Sequence, residues 1–192
     1  MEGMKKYQIV YADPPWYMAN DNYGKIGNSR FSGFGASIRY PTLSCEQISA
    51  FHIQELTKNN CALFLWTTNR NIPDAIKVCS HWGFMYKTVA FCWVKTSRKT
   101  GMPNCRLGYY TLGGMELCLL GIKGKMKPIN HKVRQVFMQP RLGHSVKPPI
   151  VRNKIVELFG DLPRIELFAR QKTPGWDVWG NEVESDICLQ KV

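Results

Sequence analysis

Near its start the chain carries a six-residue run, Tyr7-Gln-Ile-Val-Tyr-Ala12, that leads straight into Asp13-Pro14-Pro15-Trp16. The run is apolar and contains β-branched side chains, which reads as a buried strand. Two successive prolines then remove two backbone donors and fix two φ angles, so the strand stops abruptly. Further strands are expected at Cys61-Ala-Leu-Phe-Leu-Trp66, Tyr86 to Lys95, Met115 to Ile122, Val133 to Met138 and Arg164-Ile-Glu-Leu-Phe-Ala169. Ser44 and Gln47 form a capping box that opens a helix with Ile48, Phe51 and Leu56 on its apolar side. Asn71 and Pro73 start a second helix that ends near Gly83. Pro148-Pro149 leads a third, with Ile150, Ile155, Leu158 and Phe159 on its apolar side and Gly160 as its stop. This alternation predicts an α/β fold with a mostly parallel central sheet, in one domain over 1–192. Ligands bind such sheets beyond the carboxyl ends of the strands.

The corner at Asp13-Pro14-Pro15-Trp16 sits at such an end. Proline has no N–H, so the segment presents carbonyl acceptors, and an ionised Asp only accepts. Trp16 adds a flat face. Acceptors beside an aromatic plane suit an exocyclic amine on a planar base, which has two N–H donors and a π-face. Such an amine is a poor nucleophile, because its lone pair is delocalised into the ring. Two acceptors gripping its hydrogens favour a pyramidal nitrogen, and a carboxylate stabilises the charge that develops there. The plainer alternative is an Asx-Pro turn ending a strand, with Trp16 in the core. Tyr17 to Arg39, rich in Gly, Asn and Ser, reads as a long loop, and long loops in compact domains are usually functional.

The net charge is +12, from 26 basic and 14 acidic residues, and it is concentrated. Between Lys95 and Arg152 stand twelve Lys or Arg and one acid, Glu116, so that stretch alone supplies +11. A cluster of this kind is the footprint of a polyanion partner, nucleic acid before others, with a solvated face as the alternative. The loops at about 95–114 and 123–147, with Lys95 and Arg106 among them, are the expected grip on phosphates. Tyr109 and Tyr110 add stacking surface. With 44% hydrophobic residues the chain has material for a core, which sets disorder aside. No apolar run is long enough to span a bilayer, and Met1 to Lys6 lacks a signal-peptide core, so a soluble cytoplasmic protein is expected. The seven cysteines lie at least thirteen residues apart, with no His at ligand spacing, so no metal site is expected and the thiols read as buried and reduced.

Asp13-Pro-Pro-Trp16 resembles the catalytic motif of the adenine-N6 methyltransferases named after the seventy-kilodalton subunit of the eukaryotic mRNA methyltransferase. The resemblance continues along nearly the whole chain, through Tyr40-Pro-Thr-Leu-Ser44, Leu63-Phe-Leu-Trp66, Trp93-Val-Lys-Thr96, Glu116-Leu-Cys-Leu-Leu-Gly121, His144-Ser-Val-Lys-Pro148, Ile165-Glu-Leu-Phe-Ala-Arg170 and Trp179-Gly-Asn-Glu182. It implies a Rossmann-like, S-adenosylmethionine-dependent methyltransferase fold with helices on both faces of the sheet. It also implies direct in-line transfer to the N6 amine of a flipped adenine, without metal or covalent intermediate.

Carried over by position, Asp13 and the Pro14 carbonyl hold the amine, Pro15 completes the motif, and Trp16 flanks the base. Asp13 also faces the cofactor's ammonium, and Lys147 pairs with its carboxylate. Phe168 and Arg170 line the cofactor, and Asn181 and Glu182 hold its ribose hydroxyls. Glu182 replaces the glutamine of the mRNA enzyme and keeps the acceptor. Glu116 and Tyr40 match positions near the base pocket. The plainer alternatives are a surface lysine at 147, a strand cap at 170 and a strand-edge charge at 116.

Large members of the family carry an Asp-Ile pair upstream of the catalytic strand, which grips the cofactor adenine. Nothing before Asp13 matches it, and Asp186 and Ile187 are expected to supply the same groups from the other end, a frayed acidic tail being the alternative. With no appended RNA module, the chain looks like the compact members of bacteria and phages, acting as monomer or homodimer with DNA as the expected substrate. RNA adenine, an inactive nucleic-acid-binding subunit of a methyltransferase pair, and N4-cytosine transfer are the alternatives. Asp13 speaks against the last, whose motif begins with Ser.

Overall fold

The computed structural model describes residues 5–17, 41–108, 110–143 and 146–189. The expectations placed on Tyr40, Tyr109, His144, Ser145 and nearly all of the loop after Tyr17 lie outside the described residues. Among the described residues, seven strands form one sheet: β1 (Tyr7–Ala12), β2 (Thr57–Thr67), β3 (Met85–Thr96), β4 (Met115–Lys123), β5 (Val136–Pro140), β6 (Arg164–Leu167) and β7 (Asp177–Trp179). Their order is β5-β3-β4-β2-β1-β6-β7. β4 runs antiparallel to β2 and β3, and the other pairings are parallel. The carboxyl ends of six strands and the amino end of β4 therefore share one rim.

The first strand is central because it is apolar on both sides. Val10 pairs with Leu63 of β2 and Ile165 of β6. Val10, Ala12, Leu63 and Leu65 pack against Ile48 of α1 (Cys45–Ser49) and against Ala75 and Val78 of α2 (Ile72–His81). Ile9, Tyr11, Phe64 and Trp66 pack on the other face against Val151, Ile155 and Phe159 of α3 (Ile150–Phe159). Each such aliphatic or Phe side chain contributes about 1.5–3 kcal/mol by leaving water. Helices thus cover both faces of a mostly parallel sheet, as the sequence predicts.

Local departures have visible causes. The capping box of α1 forms, with Gln47 N donating to Ser44 Oγ at 3.2 Å and Ser44 N to Gln47 Oε1 at 2.9 Å. The helix ends at Ser49 rather than running to Leu56, and Ile53–Leu56 form a separate 3-10 turn. Trp82 Nε1 takes the Ile48 carbonyl at 3.1 Å, and Phe51 turns to meet the edges of Phe168 and Trp179. In α3, Val151 is buried where Ile150 was expected, and Ile150 is 43% exposed. β5 begins at Val136, three residues later than expected, and β7 was not foreseen.

The segment from 180 to 189 is pinned to the sheet. Asp186 N donates to the Val178 carbonyl at 2.9 Å, and Asp186 Oδ2 accepts from Val178 N at 2.9 Å. Ile187 and Leu189 pack against the core. Among the described residues, no helix is long and apolar enough to cross a membrane.

Candidate active site

The rim collects most of the residues singled out from sequence, Arg106 being displayed elsewhere. Asp13 leaves β1, and Trp16 N donates to the Pro14 carbonyl at 2.9 Å, closing a tight turn that the fixed proline angles favour. Leu43 locks the corner: its N–H donates to the Pro15 carbonyl at 2.8 Å, and its carbonyl accepts from Tyr17 N at 2.8 Å. A carbonyl has two lone pairs, so the Pro14 oxygen keeps one for a further donor. Trp16 is 6% exposed and belongs to the core cluster, and it lines a pocket with Tyr17, Asn71 and Asp74. Its Nε1 donates to the Trp66 carbonyl at 2.8 Å. A buried indole N–H needs an acceptor, and the end of β2 supplies one.

A chain of alternating charges runs from this corner across the rim. Lys147 Nζ lies 2.7 Å from the Asp13 carboxylate and 3.2 Å from Glu116 Oε2. Glu116 Oε1 in turn accepts from Lys95 Nζ. Two indole faces shield the cations, with Lys147 5.5 Å from the Trp66 ring centre and Lys95 5.2 Å from that of Trp93. The two carboxylates respond differently. Burial pushes Glu116 up, but two lysines hold it below the usual glutamate range. Burial also raises Asp13, and Lys147 and the Arg170 charge oppose this without reversing it while the Glu116 charge adds to it, so it stays above the ordinary aspartate value. Burial works against the Lys147 ammonium, yet the two carboxylates keep it charged and raised.

Lys95 was expected on the phosphate grip. The structure turns it inward to Glu116, with only 11% of the side chain exposed. Its position in β3 puts it on the same face as Trp93, diagonal to Glu116 of β4. Arg106, by contrast, is exposed, on a turn closed by mutual 2.7 Å backbone bonds with Gly113 that also displays Leu107 and Tyr110.

Beneath the rim lies a polar layer that sequence reasoning missed. Arg152 and Glu166 form a two-pronged pair at 2.6 and 2.7 Å in the interior. The guanidinium stands 5.7 Å from the Tyr11 ring centre, and Trp66 Nε1 donates to the Tyr11 hydroxyl at 2.7 Å. The available signal was a glutamate at an inward position of a buried strand, which demands a buried cation.

A second group gathers past β6 and β7. Phe168 holds φ +59°, a left-handed backbone rare for a bulky side chain. Its ring meets Phe51 and Trp179 edge-on at 5.5 and 5.3 Å. Gly180 has no room for a Cβ, which would stand 2.1 Å from the Ala169 carbonyl oxygen. Arg170 Nε donates to Glu182 Oε1 at 2.8 Å, and Asn181 lies exposed beside them. Asp186 is held by Val178 and by Lys172 at 3.1 Å, which keep its carboxyl below the usual range, and Ile187 packs against the core. The thiols divide: Cys61, Cys79 and Cys118 are buried, whereas Cys105 and Cys188 are exposed, against expectation.

Comparison with known proteins matches residues 7–182 to the MT-A70 family. The chain is 39% identical to the Type II methyltransferase M.MunI of a Mycoplasma species, covering 93% of this chain and 78% of that protein. It is 28% identical to the N(6)-adenosine-methyltransferase subunit METTL3 of Danio rerio over 93% of this chain. It is also 28% identical to the N(6)-adenine-specific methyltransferase METTL4 of Homo sapiens, again over 93%. The chain spans only 28% and 38% of those two proteins. The rim described above falls within the matched residues up to Glu182, and this chain is a methyltransferase belonging to the MT-A70 family.

Proposed function

We propose that the chain transfers a methyl group from S-adenosylmethionine to the N6 amine of adenine in DNA. One observation carries the reading: an acceptor-only corner, Asp13 with the Pro14 carbonyl, sits rigidly at the open end of the central strand with a lysine on its carboxylate. DNA is preferred over RNA because the chain is 39% identical to the Type II relative and 28% identical to the adenosine enzyme.

The rim fits the proposed cofactor in the chemistry of its groups. A ligand with a carboxylate, an ammonium, a diol and an adenine asks for a cation, an anion, acceptors and aromatic surface. Lys147, Asp13, Glu182 with Asn181, and Phe168 supply these around one edge of the sheet. The strained backbone at Phe168 is of the kind retained where a ligand site demands it. When bound, S-adenosylmethionine provides an electrophilic methyl on a sulfonium. Asp186 and Ile187 are assigned to the adenine end of that site, from a tail already pinned to β7.

The chain's own part is to hold and to shield. The target base must leave its stack, and exposed Arg106, Lys125, Lys127, Lys132 and Arg134 bind the flanking phosphates. Asp13 and Pro14 accept from the two amine hydrogens, which frees the nitrogen lone pair. As positive charge grows on nitrogen, the Asp13 carboxylate stabilises it. Its raised proton affinity suits it to take a proton from the methylated amine afterwards. Fixing the amine in line is worth up to about 7–11 kcal/mol. Trp16, Tyr11 and Trp66 brace the corner from below through the chain of indole hydrogen bonds.

The test is nucleoside mass spectrometry of unmethylated DNA and of RNA after incubation with protein and S-adenosylmethionine. N6-methyladenine from DNA is expected, and Asp13→Ala should lose nearly all of it while circular dichroism stays unchanged. Methylation of RNA alone would move the assignment to the other polymer. N4-methylcytosine or no product from either would overturn the reading.

A further inference from the structure

Lys95 is the one member of the basic 95–114 stretch paired inward to the catalytic rim among the described residues, and its setting is unlike that of a phosphate contact. Its backbone is clamped, with N donating to the Gly114 carbonyl and its carbonyl accepting from Asn104 N, each at 2.7 Å. Its ammonium is spent on Glu116, under cover of Trp93. Glu116 in turn shares Lys147 with Asp13. We infer that Lys95 is a positioning residue: through Glu116 it keeps Lys147 shared between the two carboxylates and so fixes the place and charge of Asp13.

Asp13 and Glu116 compete for a single ammonium, that of Lys147. With Lys95 in place Glu116 has two cations, and Lys147 can stay at 2.7 Å from Asp13. Without it, Glu116 would hold one cation in a poorly solvated site and pull Lys147 from Asp13. Other groups facing Asp13 are Cys118 and Glu116 from β4, Glu166 from β6 and Arg170 beyond it, and Arg141 approaches Lys95. Lys147 hydrogen-bonds the Asp13 carboxylate directly. Loss of its hold raises the pH at which Asp13 ionises.

The inference rests on Asp13 being the amine acceptor, so the first measurement avoids catalysis altogether. Carbon-13 NMR titration of the Asp13 carboxyl in the full chain should move to higher pH in Lys95→Met and return to the wild-type position in Lys95→Arg. Glu116→Gln provides the opposite sign: Lys147 then serves Asp13 alone and the titration moves to lower pH. It also covers the case in which Lys95→Met does not fold. In DNA methylation, Lys95→Met should lower kcat roughly 10- to 100-fold with KM for DNA unchanged. The acidic limb of its pH profile should rise, because the carboxylate must be ionised to accept from the amine. An unmoved Asp13 titration would overturn the inference. So would unchanged kcat with a raised KM and a salt slope smaller by about one, the signature of a lost phosphate contact. Absence of methyl transfer in the wild type would overturn the proposed function, and the titrations would still decide the role of Lys95.

Discussion

The two halves of the sheet are built to different rules. In β1 every residue but Gln8 is buried, and in β2 the run from Cys61 to Thr67 is buried without interruption. Across the seam, β3 opens with four exposed residues and β5 has no buried residue at all. The first half is sandwiched between helices on both faces. The second carries, with its loops, most of the segment that holds +11 of the net charge. The difference teaches where stability and reach reside: one half anchors Asp13, and the other extends cationic surface outward. The site is the seam, since Asp13 comes from one side, Glu116 and Lys95 from the other, and Lys147 joins them.

Substitutions can break or sharpen this contrast. Phe64 lies in the parallel half, stacked 5.8 Å from Phe91. Phe64→Ala should cost about 3–5 kcal/mol in denaturant unfolding. Lys132→Ala, in the basic half, should leave unfolding nearly unchanged yet weaken binding to DNA of any sequence, with the salt slope reduced by about 0.9. The smallest effect belongs to Met138→Ser on the open edge strand, where 56% of the residue is exposed: within about 0.5 kcal/mol by the same unfolding assay. A large loss from Met138→Ser, or a small one from Phe64→Ala, would erase the distinction.

Strands were legible in both halves: the expected spans Tyr86 to Lys95 and Met115 to Ile122 fall within one residue of β3 and β4 at each end. A strand buried on both faces and cut by two prolines leaves few options, and its neighbours at 61–66 and 164–169 followed the same pattern. What escaped reading depended on the third dimension. Helix α1 stops early because Trp82, more than thirty residues on, takes its carbonyl. β7 is three residues long, too short for any periodicity. The position of Lys95 was apparent but not the direction of its side chain, since charge in a sequence does not reveal which face of a strand it occupies. The aromatic of Asp13-Pro-Pro-Trp16 is plain in the sequence but its hydrogen bond is not, because the acceptor, the Trp66 carbonyl, lies fifty residues on.

The reversed direction of β4 has a further consequence. Because this strand enters the sheet at the rim, Glu116 stands one residue after the strand's start, and everything from 97 to 114 is an excursion returning to the same edge. The ladders on either side of β4 are set by residues from Met115 onward and are indifferent to the length of that excursion. Between the Asn104 and Gly114 clamps on Lys95 the segment is therefore an exchangeable cassette: a graft of other sequence there should alter which bases are read while Lys95 and the transfer chemistry stay in place.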